Sequence, residues 1–452
     1  MLNTNCTYLR PEIMDVLRLF DKEEEEFTHY FSYSGGKFFN AIEYDSQFYD
    51  FEDEFNPADD LEYKRYAKRF AKLAFYKVLS AATGKTLPWG ALTGIRPTKL
   101  GWTEISAGRD YKSLFRTLCV AEENIALTER IINAQKGLHD GGKSLYVSLP
   151  FCPTKCDYCS FITAPIERTK QYVEDYIKCL IKELESVRPF MEKVRSVYVG
   201  GGTPFVLSVD QLTPIYAAIN AILPANVEYT VEAGRPDVFT EEKLELSRRF
   251  GVNRICVNPQ SFNDGTLEAI GRKHTAAQTV KAYGMAKKYG FDVNVDLIAG
   301  LADEDCADFE KSLDTAISLD PANITVHTLS LKSGAKLKES VKRLHVSQIG
   351  QMIALSREKL SAAGYEPYYL YRQKYQAGGL ENVGWCKKGK ACLYNIDVME
   401  ELGDNIAVGA NAISKRVFSE EERIERYATP KDIPTYISKI SDIIPKRIDF
   451  FK

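Results

Sequence analysis

The pattern of apolar and polar positions changes near residue 140. Upstream, Phe27 to Phe55 is rich in aromatic residues on either side of Ser34-Gly35-Gly36, the pattern of a hairpin. From Asp59 to Ala82 apolar side chains return at helical spacing through Leu61, Tyr66, Phe70, Leu73 and Val78. The stretch Thr83-Gly84-Lys85-Thr86-Leu87-Pro88-Trp89-Gly90 breaks that helix, and it lacks the G-x-x-x-x-G-K-[ST] spacing of a phosphate loop. Residues 1–138 are therefore expected to form an α+β domain with no assigned role, and 139–143 a linker. Beyond it, short β-rich runs at 144–150, 195–199, 227–233, 252–259, 291–299 and 322–329 alternate with helical patterns at 170–187, 209–222, 241–250, 276–289 and 307–319. Six strand–helix repeats predict an α/β fold with a parallel sheet and right-handed crossovers. Six is two short of a closed eightfold barrel, so an open or partial (β/α)6 barrel over 144–345 follows. Any site then lies at the C-terminal ends of the strands. Residues 346–452 read as a small α+β domain: a helix at 346–363, an aromatic strand at Tyr365–Tyr375, a strand and turn at 404–418, and a last helix near 434–444.

Composition narrows the function classes. The 452 residues carry 59 Lys+Arg against 62 Asp+Glu, a net charge of −3, so no global basic field favours nucleic acid. A hydrophobic content of 44% excludes wholesale disorder. No apolar run approaches the ~18 residues of a membrane span. Met1 to Cys6 lacks the basic and apolar regions of a signal peptide, which makes a cytoplasmic location the default expectation. The acidic run Asp21 to Glu26 reads as a solvated turn or helix face. Ten cysteines in a chain without an export signal do not form a disulfide framework. Three of them, Cys152, Cys156 and Cys159, crowd into eight residues, where a random window would hold about 0.2.

Their spacing, C-x3-C-x2-C, follows the first barrel strand directly. Three thiolates on one loop can hold three irons of a four-iron cluster, whereas fully ligated clusters use four cysteines. The missing ligand leaves one iron open to substrate or cofactor, as in catalytic zinc sites. A structural zinc site would need a fourth ligand at usual spacing, and none is nearby. An apolar helix stripe is opposed by Pro150 and Pro153. Further candidates stand at the ends of later strands. Gly200-Gly201-Gly202-Thr203-Pro204 follows the second, Glu232 ends the third and Gln260 the fourth. Gly271-Arg272-Lys273-His274 opens the next connection, and Asp296 ends the fifth. Parallel α/β sheets gather their ligand groups at these places.

The cysteine motif resembles that of the radical S-adenosylmethionine (SAM) superfamily. The order Tyr146, Cys152, Gly201-Gly202-Thr203-Pro204, Glu232, Gln260, Arg272, Asp296 is similar to the oxygen-independent coproporphyrinogen III oxidase (coproporphyrinogen dehydrogenase) group. The N-terminal extension and Tyr365-Glu366-Pro367-Tyr368-Tyr369-Leu370-Tyr371-Arg372-Gln373 resemble its HemZ-type branch. The resemblance implies a radical SAM barrel and a [4Fe–4S] cluster on Cys152, Cys156 and Cys159, through which catalysis runs. It implies SAM contacts at Tyr146, Gly201 and Glu232, and a second SAM held by Gly202, Thr203, Gln260, Arg272 and Asp296. Ser330 and Ile413 would give two backbone contacts. It further implies a tetrapyrrole substrate, a reduced electron donor such as flavodoxin or ferredoxin, and a role in heme and porphyrin biosynthesis. The reaction would be oxidative decarboxylation of coproporphyrinogen III propionates to vinyl groups. Arg235, Arg272 and Lys273 are candidate cations for a tetracarboxylate.

Two departures stand out. The bacterial dehydrogenase has a further cysteine where this chain has Phe161, and a histidine where it has Ser148. The heme-chaperone branch also lacks that cysteine. A heme-binding chaperone on the same frame, or another radical SAM reaction on a tetrapyrrole, are therefore the alternatives. Tyr365–Tyr375 either lines a slot for a flat macrocycle or packs as an ordinary strand. Cys386 and Cys392 are too few for a second cluster, and His327 either faces the cavity or packs.

Overall fold

The computed structural model describes residues 1–139, 142–159, 161–330, 346–373 and 377–452. The chain folds as two units, Met1–Glu129 with Tyr371–Glu381, and Arg130–Leu370 with Asn382–Lys452. In the first, the aromatic-rich segment forms a sheet of β1 (Leu2–Thr4), β2 (Phe27–Ser34), β3 (Lys37–Tyr44) and β4 (Gln47–Glu54), in that order. β1 runs parallel to β2 and the remaining pairs are antiparallel. Period-two alternation buries Phe27, His29 and Phe31 of β2 while Thr28 and Tyr30 face water. The expected helix spans Asp60–Thr83; the Asp59 carboxylate caps it by accepting from Glu62 N at 2.7 Å. Its apolar face reaches the sheet through Phe75, whose ring lies 5.9 Å from Phe27 and 5.3 Å from His29. Three further helices, Pro97–Ser106, Tyr111–Thr117 and Glu122–Gln135, were not expected from the sequence. Trp89 Nε1 donates to Glu381 Oε2 at 2.8 Å, and Arg372 donates to the carbonyls of Leu92 and Gly379. These bonds make 371–381 part of this unit.

The second unit is built on β5 (Lys143–Leu149), with the short β6 (Phe151–Cys152) and β7 (Ala164–Pro165) paired parallel to each other. β8 (Val194–Gly201), β9 (Glu228–Gly234), β10 (Arg254–Val257), β11 (Asp292–Ala299) and β12 (Asn323–Thr328) follow. β5 and β8 to β12 lie side by side in sequence order, every pair parallel. This is the partial (β/α)6 barrel, its strands buried on both faces as continuous apolar runs. Helices Val173–Val187, Val209–Asn220, Glu241–Arg249, Ala276–Lys288 and Cys306–Ser318 connect the strands close to their expected bounds. Capping boxes start two of them, at Ser208/Gln211 and Thr275/Gln278.

The C-terminal residues do not stand apart as a third unit. β13 (Glu366–Tyr371) and β14 (Asn382–Cys386) extend the sheet beyond β12. β15 (Asn405–Val408) adds in parallel to β5, followed by β16 (Ile413–Phe418) and β17 (Arg423–Ala428). An open sheet has two unpaired edges, and these strands cover both. Tyr365, Tyr368 and Tyr369 are buried, which decides for a packed strand. The Tyr369 ring lies 1.8 Å from where a Cβ on Gly384 would sit, so only glycine allows that packing. Of the expected aromatic strand, 374 and 375 lie outside the described residues, as do 140–141 of the linker and 331–345 at the end of the barrel segment. No helix among the described residues is long and apolar enough to cross a membrane.

Candidate functional site

Pairing of β6 with β7, Phe151 to Ala164 and Cys152 to Pro165, closes the cysteine loop at its base. Cys156 is buried, and Cys152 and Cys159 are half-buried. Inside the loop Cys159 N donates to Cys156 O at 3.1 Å. Three bonds fasten the loop to residues that follow later strands, two of them in the connection after the helix Asp264–Ala269. Asp157 N donates to Ile270 O at 3.1 Å, Arg272 Nη1 donates to Tyr158 OH at 2.8 Å, and Arg235 donates to Thr154 Oγ1. Thr203 Oγ1 points at Cys152 Sγ, 3.7 Å away. Burial pushes the Cys152 and Cys159 thiols above their ordinary pKa, and mutual repulsion among the three thiols adds to it. Iron bound at the loop would reverse that, because a coordinated thiol is deprotonated. Among the described residues no three His, Cys, Asp or Glu side chains converge as a single ion requires. Three separated thiols on one loop suit the corners of a cluster, so the donor set fits that group.

The strand ends surround this loop. Gly202 N donates to Leu149 O at 2.9 Å and Thr203 N to Phe151 O at 2.7 Å, stitching the glycine turn to the start of the loop. A Cβ on Gly202 would lie 2.4 Å from Phe151 O. One on Gly201, where φ is 97°, would lie 2.8 Å from Ser148 Oγ and 3.3 Å from Tyr146 OH. The absence of side chains therefore lets the turn pack closely against β5, the start of the cysteine loop and the Tyr146 hydroxyl. Tyr146 stacks on Tyr394, which stacks on Tyr198 at 4.7 Å. Burial pushes the Tyr146 phenol up to about 12. Tyr198 OH and Asn258 Nδ2 donate to the two carboxylate oxygens of Glu232. Burial, with the Asp296 charge beside it, raises Glu232 to about 7 against those bonds. Gln260 has a φ of 69°, a strained value for a side chain of this size. Its N donates to Asp296 O and its O accepts from Ile298 N, both at 3.0 Å. His327 Nε2 stands 3.5 Å from Asp296 Oδ2, so it faces this group.

Several polar atoms here are buried without a hydrogen-bond partner among the described residues: Asn258 Oδ1, Gln260 Oε1, Arg272 Nε, both His274 ring nitrogens and Ser330 Oγ. Each such atom costs about 1–3 kcal/mol if it stays unpaired. The six stand at the strand ends, where a polar ligand would complete them; others, such as Tyr229 OH, Thr230 Oγ1 and Tyr283 OH, lie elsewhere in the unit. The expected residues Gln260, Arg272 and Ser330 are among the six. Ile413 is placed differently. It opens β16 with its side chain 48% exposed, paired to Ala428, and its carbonyl accepts from Asn405 Nδ2 at 3.4 Å. The turn before it does reach β5, where Ser148 Oγ donates to Ala410 O at 2.7 Å.

Arg235 corrects the expectation of a free cation. It is 4% exposed, it grips Asp237 with two bonds of 2.9 and 2.7 Å, and it also donates to Thr154. Its charge is neutralised in fastening the cysteine loop. Arg272 has no carboxylate partner among the described residues, and Lys273 is exposed. Cys392 donates to Glu228 Oε1 at 3.4 Å and Cys386 pairs with Asn323, both at the N-terminal ends of strands and away from the cysteine loop. Sequence reasoning missed Tyr198 and Asn258. Tyr198 lies two residues before Gly200 on β8, and that period was the available signal; Asn258 lies beyond the end of β10, where strand periodicity gives none.

The sequence pattern of the radical SAM superfamily matches residues 146–316, from β5 through the helix Cys306–Ser318. The oxygen-independent coproporphyrinogen-III oxidase-like protein HemZ of Bacillus subtilis (strain 168) is 34% identical over 409 residues, 86% of this chain and 82% of that protein. The heme chaperone HemW of the same organism is 31% identical over 251 residues, 53% of this chain and 65% of that one. Among solved structures, the coproporphyrinogen III oxidase HemN of Escherichia coli, a radical SAM enzyme, shares the fold. Its TM-score is 0.55 at 19% identity, over 69% of this chain and 73% of that one. The chain belongs to the radical SAM superfamily and, within it, to the family of HemZ. The superfamily's cofactors are a [4Fe–4S] cluster and SAM.

Proposed function

We propose that this chain is a radical SAM oxidoreductase that converts two propionates of coproporphyrinogen III to vinyl groups without oxygen, giving protoporphyrinogen IX. The observation that carries the reading is the group of unpartnered buried polar atoms at the strand ends on the side of the sheet that bears the three-thiol loop. The likeness to HemZ over 82% of that protein, well beyond the superfamily's core, supports the substrate. Cys152, Cys156 and Cys159 would hold the cluster and leave one iron for SAM. Bound together, cluster and SAM supply a 5′-deoxyadenosyl radical that can take a hydrogen atom from an unactivated carbon. Each propionate would lose a hydrogen atom from its β-carbon, then carbon dioxide and one electron.

The protein's contribution is binding, orientation and exclusion of water. Tyr146 and the backbone of Gly201 would meet the SAM bound to the cluster. Glu232, which holds its proton up to about pH 7, would offer SAM a carboxyl already oriented by Tyr198 and Asn258. Gly202, Thr203, Gln260, Arg272 and Asp296 would meet a second SAM, with Ser330 and Ile413 giving backbone contacts. Arg272 is also a buried cation available to a propionate. Leu267, Ile270, Ile298, Leu301 and Leu329 form an apolar cluster with Tyr158 packed on it, a dry wall against the cysteine loop.

The second reading, a heme chaperone, is favoured by Phe161 at the position of the dehydrogenase's extra cysteine and by the HemW relative. Anaerobic incubation with coproporphyrinogen III, SAM and a strong reductant separates the two. Carbon dioxide and protoporphyrinogen are expected; tight heme binding with no product would favour the chaperone.

A further inference from the structure

We propose that a cavity in the first unit, between the helices Asp60–Thr83, Pro97–Ser106 and Tyr111–Thr117, binds a small monocarboxylic acid with an apolar body, its carboxylate on Arg69. Every residue that lines it belongs to that unit, and the inference does not rest on the reading of the cysteine loop. The cavity has a volume of about 210 Å³. That is below the roughly 300–1,000 Å³ of sites for drug-sized molecules, so its ligand is a single ring or a short chain. Tyr66, Arg69, Phe70 and Leu73 line it from one helix. At i, i+3, i+4 and i+7 they form one stripe, and Arg69 is a cation set inside an apolar face. Leu114 and Leu118 add apolar wall from the third helix and its end, and the Phe55 ring lies flat on Tyr66 with centres 4.2 Å apart.

Arg69 is the group that selects the ligand. Its side chain is 24% exposed. Its Nε donates to Arg65 O at 3.4 Å, and among the described residues Nη1 and Nη2 donate no hydrogen bond. The Glu104 carboxylate stands 3.6 Å from Nη1 but is taken by Arg109, whose Nε and Nη2 donate to its two oxygens at 2.6 and 3.3 Å. Burial lowers the Arg69 pKa; Glu104 opposes that, and Arg109 and Arg65 add to it. An arginine does not shed its proton in proteins, so a largely buried charge is left under-compensated. A carboxylate meets both free Nη groups at once in the parallel two-bond geometry. Asp53 and Glu62 also line the cavity, accepting from Tyr66 OH at 2.5 Å and from Ala58 N at 2.7 Å. Those donors are neutral and cancel no charge, so the two acids disfavour a dianion such as phosphate and leave a monoanion.

The test titrates the full chain with 3-phenylpropionate, hexanoate and the uncharged 3-phenylpropan-1-ol, read by ligand-observed NMR. Both acids are expected to saturate one site, and the alcohol to bind at least about tenfold more weakly. Arg69→Gln should weaken the acids about tenfold or more, and Arg69→Lys should lose less. Glu104→Gln releases Arg69 and Arg109 from their shared carboxylate and should tighten the acids, which a purely structural ion pair would not do. Melting temperatures show that each variant is folded. L-Phenylalanine, the amino analogue of 3-phenylpropionate, identifies the source. Tighter binding than 3-phenylpropionate assigns an amino acid with its ammonium at Asp53 and Glu62, and weaker binding assigns a simple acid. Equal affinity for 3-phenylpropionate and its alcohol would overturn the proposal, as would no saturable binding of any of the carboxylates. Unchanged affinity in folded Arg69→Gln would overturn it too. If that variant does not fold, the acid–alcohol comparison and Glu104→Gln decide.

Discussion

The two ends of the barrel hold their buried arginines in different surroundings. At the N-terminal end Arg254 donates to Asn294 Oδ1 at 2.8 Å, Asn323 Oδ1 at 3.1 Å and the carbonyls of Lys390 and Ala391 at 3.0 and 3.3 Å. The Glu228 carboxylate stands 3.5 Å from it, leaving only Nε without a partner. At the C-terminal end Asn258, Gln260, Arg272, His274 and Ser330 each hold a buried polar atom that nothing in the described chain satisfies. At the N-terminal end the buried charge is met by its own surroundings, and the atoms left over, such as Tyr229 OH, Thr230 Oγ1 and Asn405 Oδ1, are scattered along different strands. At the C-terminal end the leftover atoms stand beside the cysteine loop, which is where the proposed ligand would meet them.

This contrast breaks or holds under substitution. The largest effect is expected from Cys156→Ala, which should reduce 5′-deoxyadenosine formation to background; substantial cleavage would remove the cysteine loop from the account. Next is Arg254→Met at the N-terminal end. Removing one partner of a buried charged network should destabilise by about 3 kcal/mol or more, read as a fall in melting temperature. SAM affinity per folded molecule should not change. Gln260→Ala at the C-terminal end should do the reverse, because its Oε1 gives up no bond. Stability should change by less than about 1 kcal/mol and SAM affinity should drop about tenfold, read by calorimetry. If both variants lost stability alone, the two ends would not differ in kind.

The smallest effect concerns pH. Burial raises both Glu232 and Glu304 to about 7, Glu304 despite the Ser261 hydroxyl donating to it at 2.6 Å. The unfolded chain releases these protons near the ordinary carboxyl value of about 4.3. Between those limits the folded chain binds more protons, so their contribution to stability falls as pH rises from about 4.5 to 7 and levels off beyond. The melting temperature should show that slope, and Glu304→Gln should flatten part of it.

The barrel was legible because parallel strands buried on both faces are continuous apolar runs, and each keeps its own helix close in sequence. The run at 252–259 was read too long. The ladder breaks after Val257, and Gln260, with a positive φ, rejoins β11 as an isolated bridge opposite Leu297. The cysteine loop was legible because its three thiols are local in sequence. Arg235 was not. Its neutralising partner Asp237 is only two residues on, but adjacency in sequence does not show that the two side chains turn toward each other, and the bond to Thr154, 81 residues away, carries no sequence signal. The pairing of β15 with β5 is equally non-local, and no periodicity in either segment encodes it. The fate of the aromatic strand turned on Gly384, whose missing side chain seats Tyr369.

Mössbauer spectroscopy of the anaerobically reconstituted protein, with and without SAM, tests the central claim most directly. The account predicts one [4Fe–4S] cluster per chain, with a single iron whose signal shifts when SAM is added. A chain without such a cluster, or a cluster whose four irons are indifferent to SAM, would contradict it.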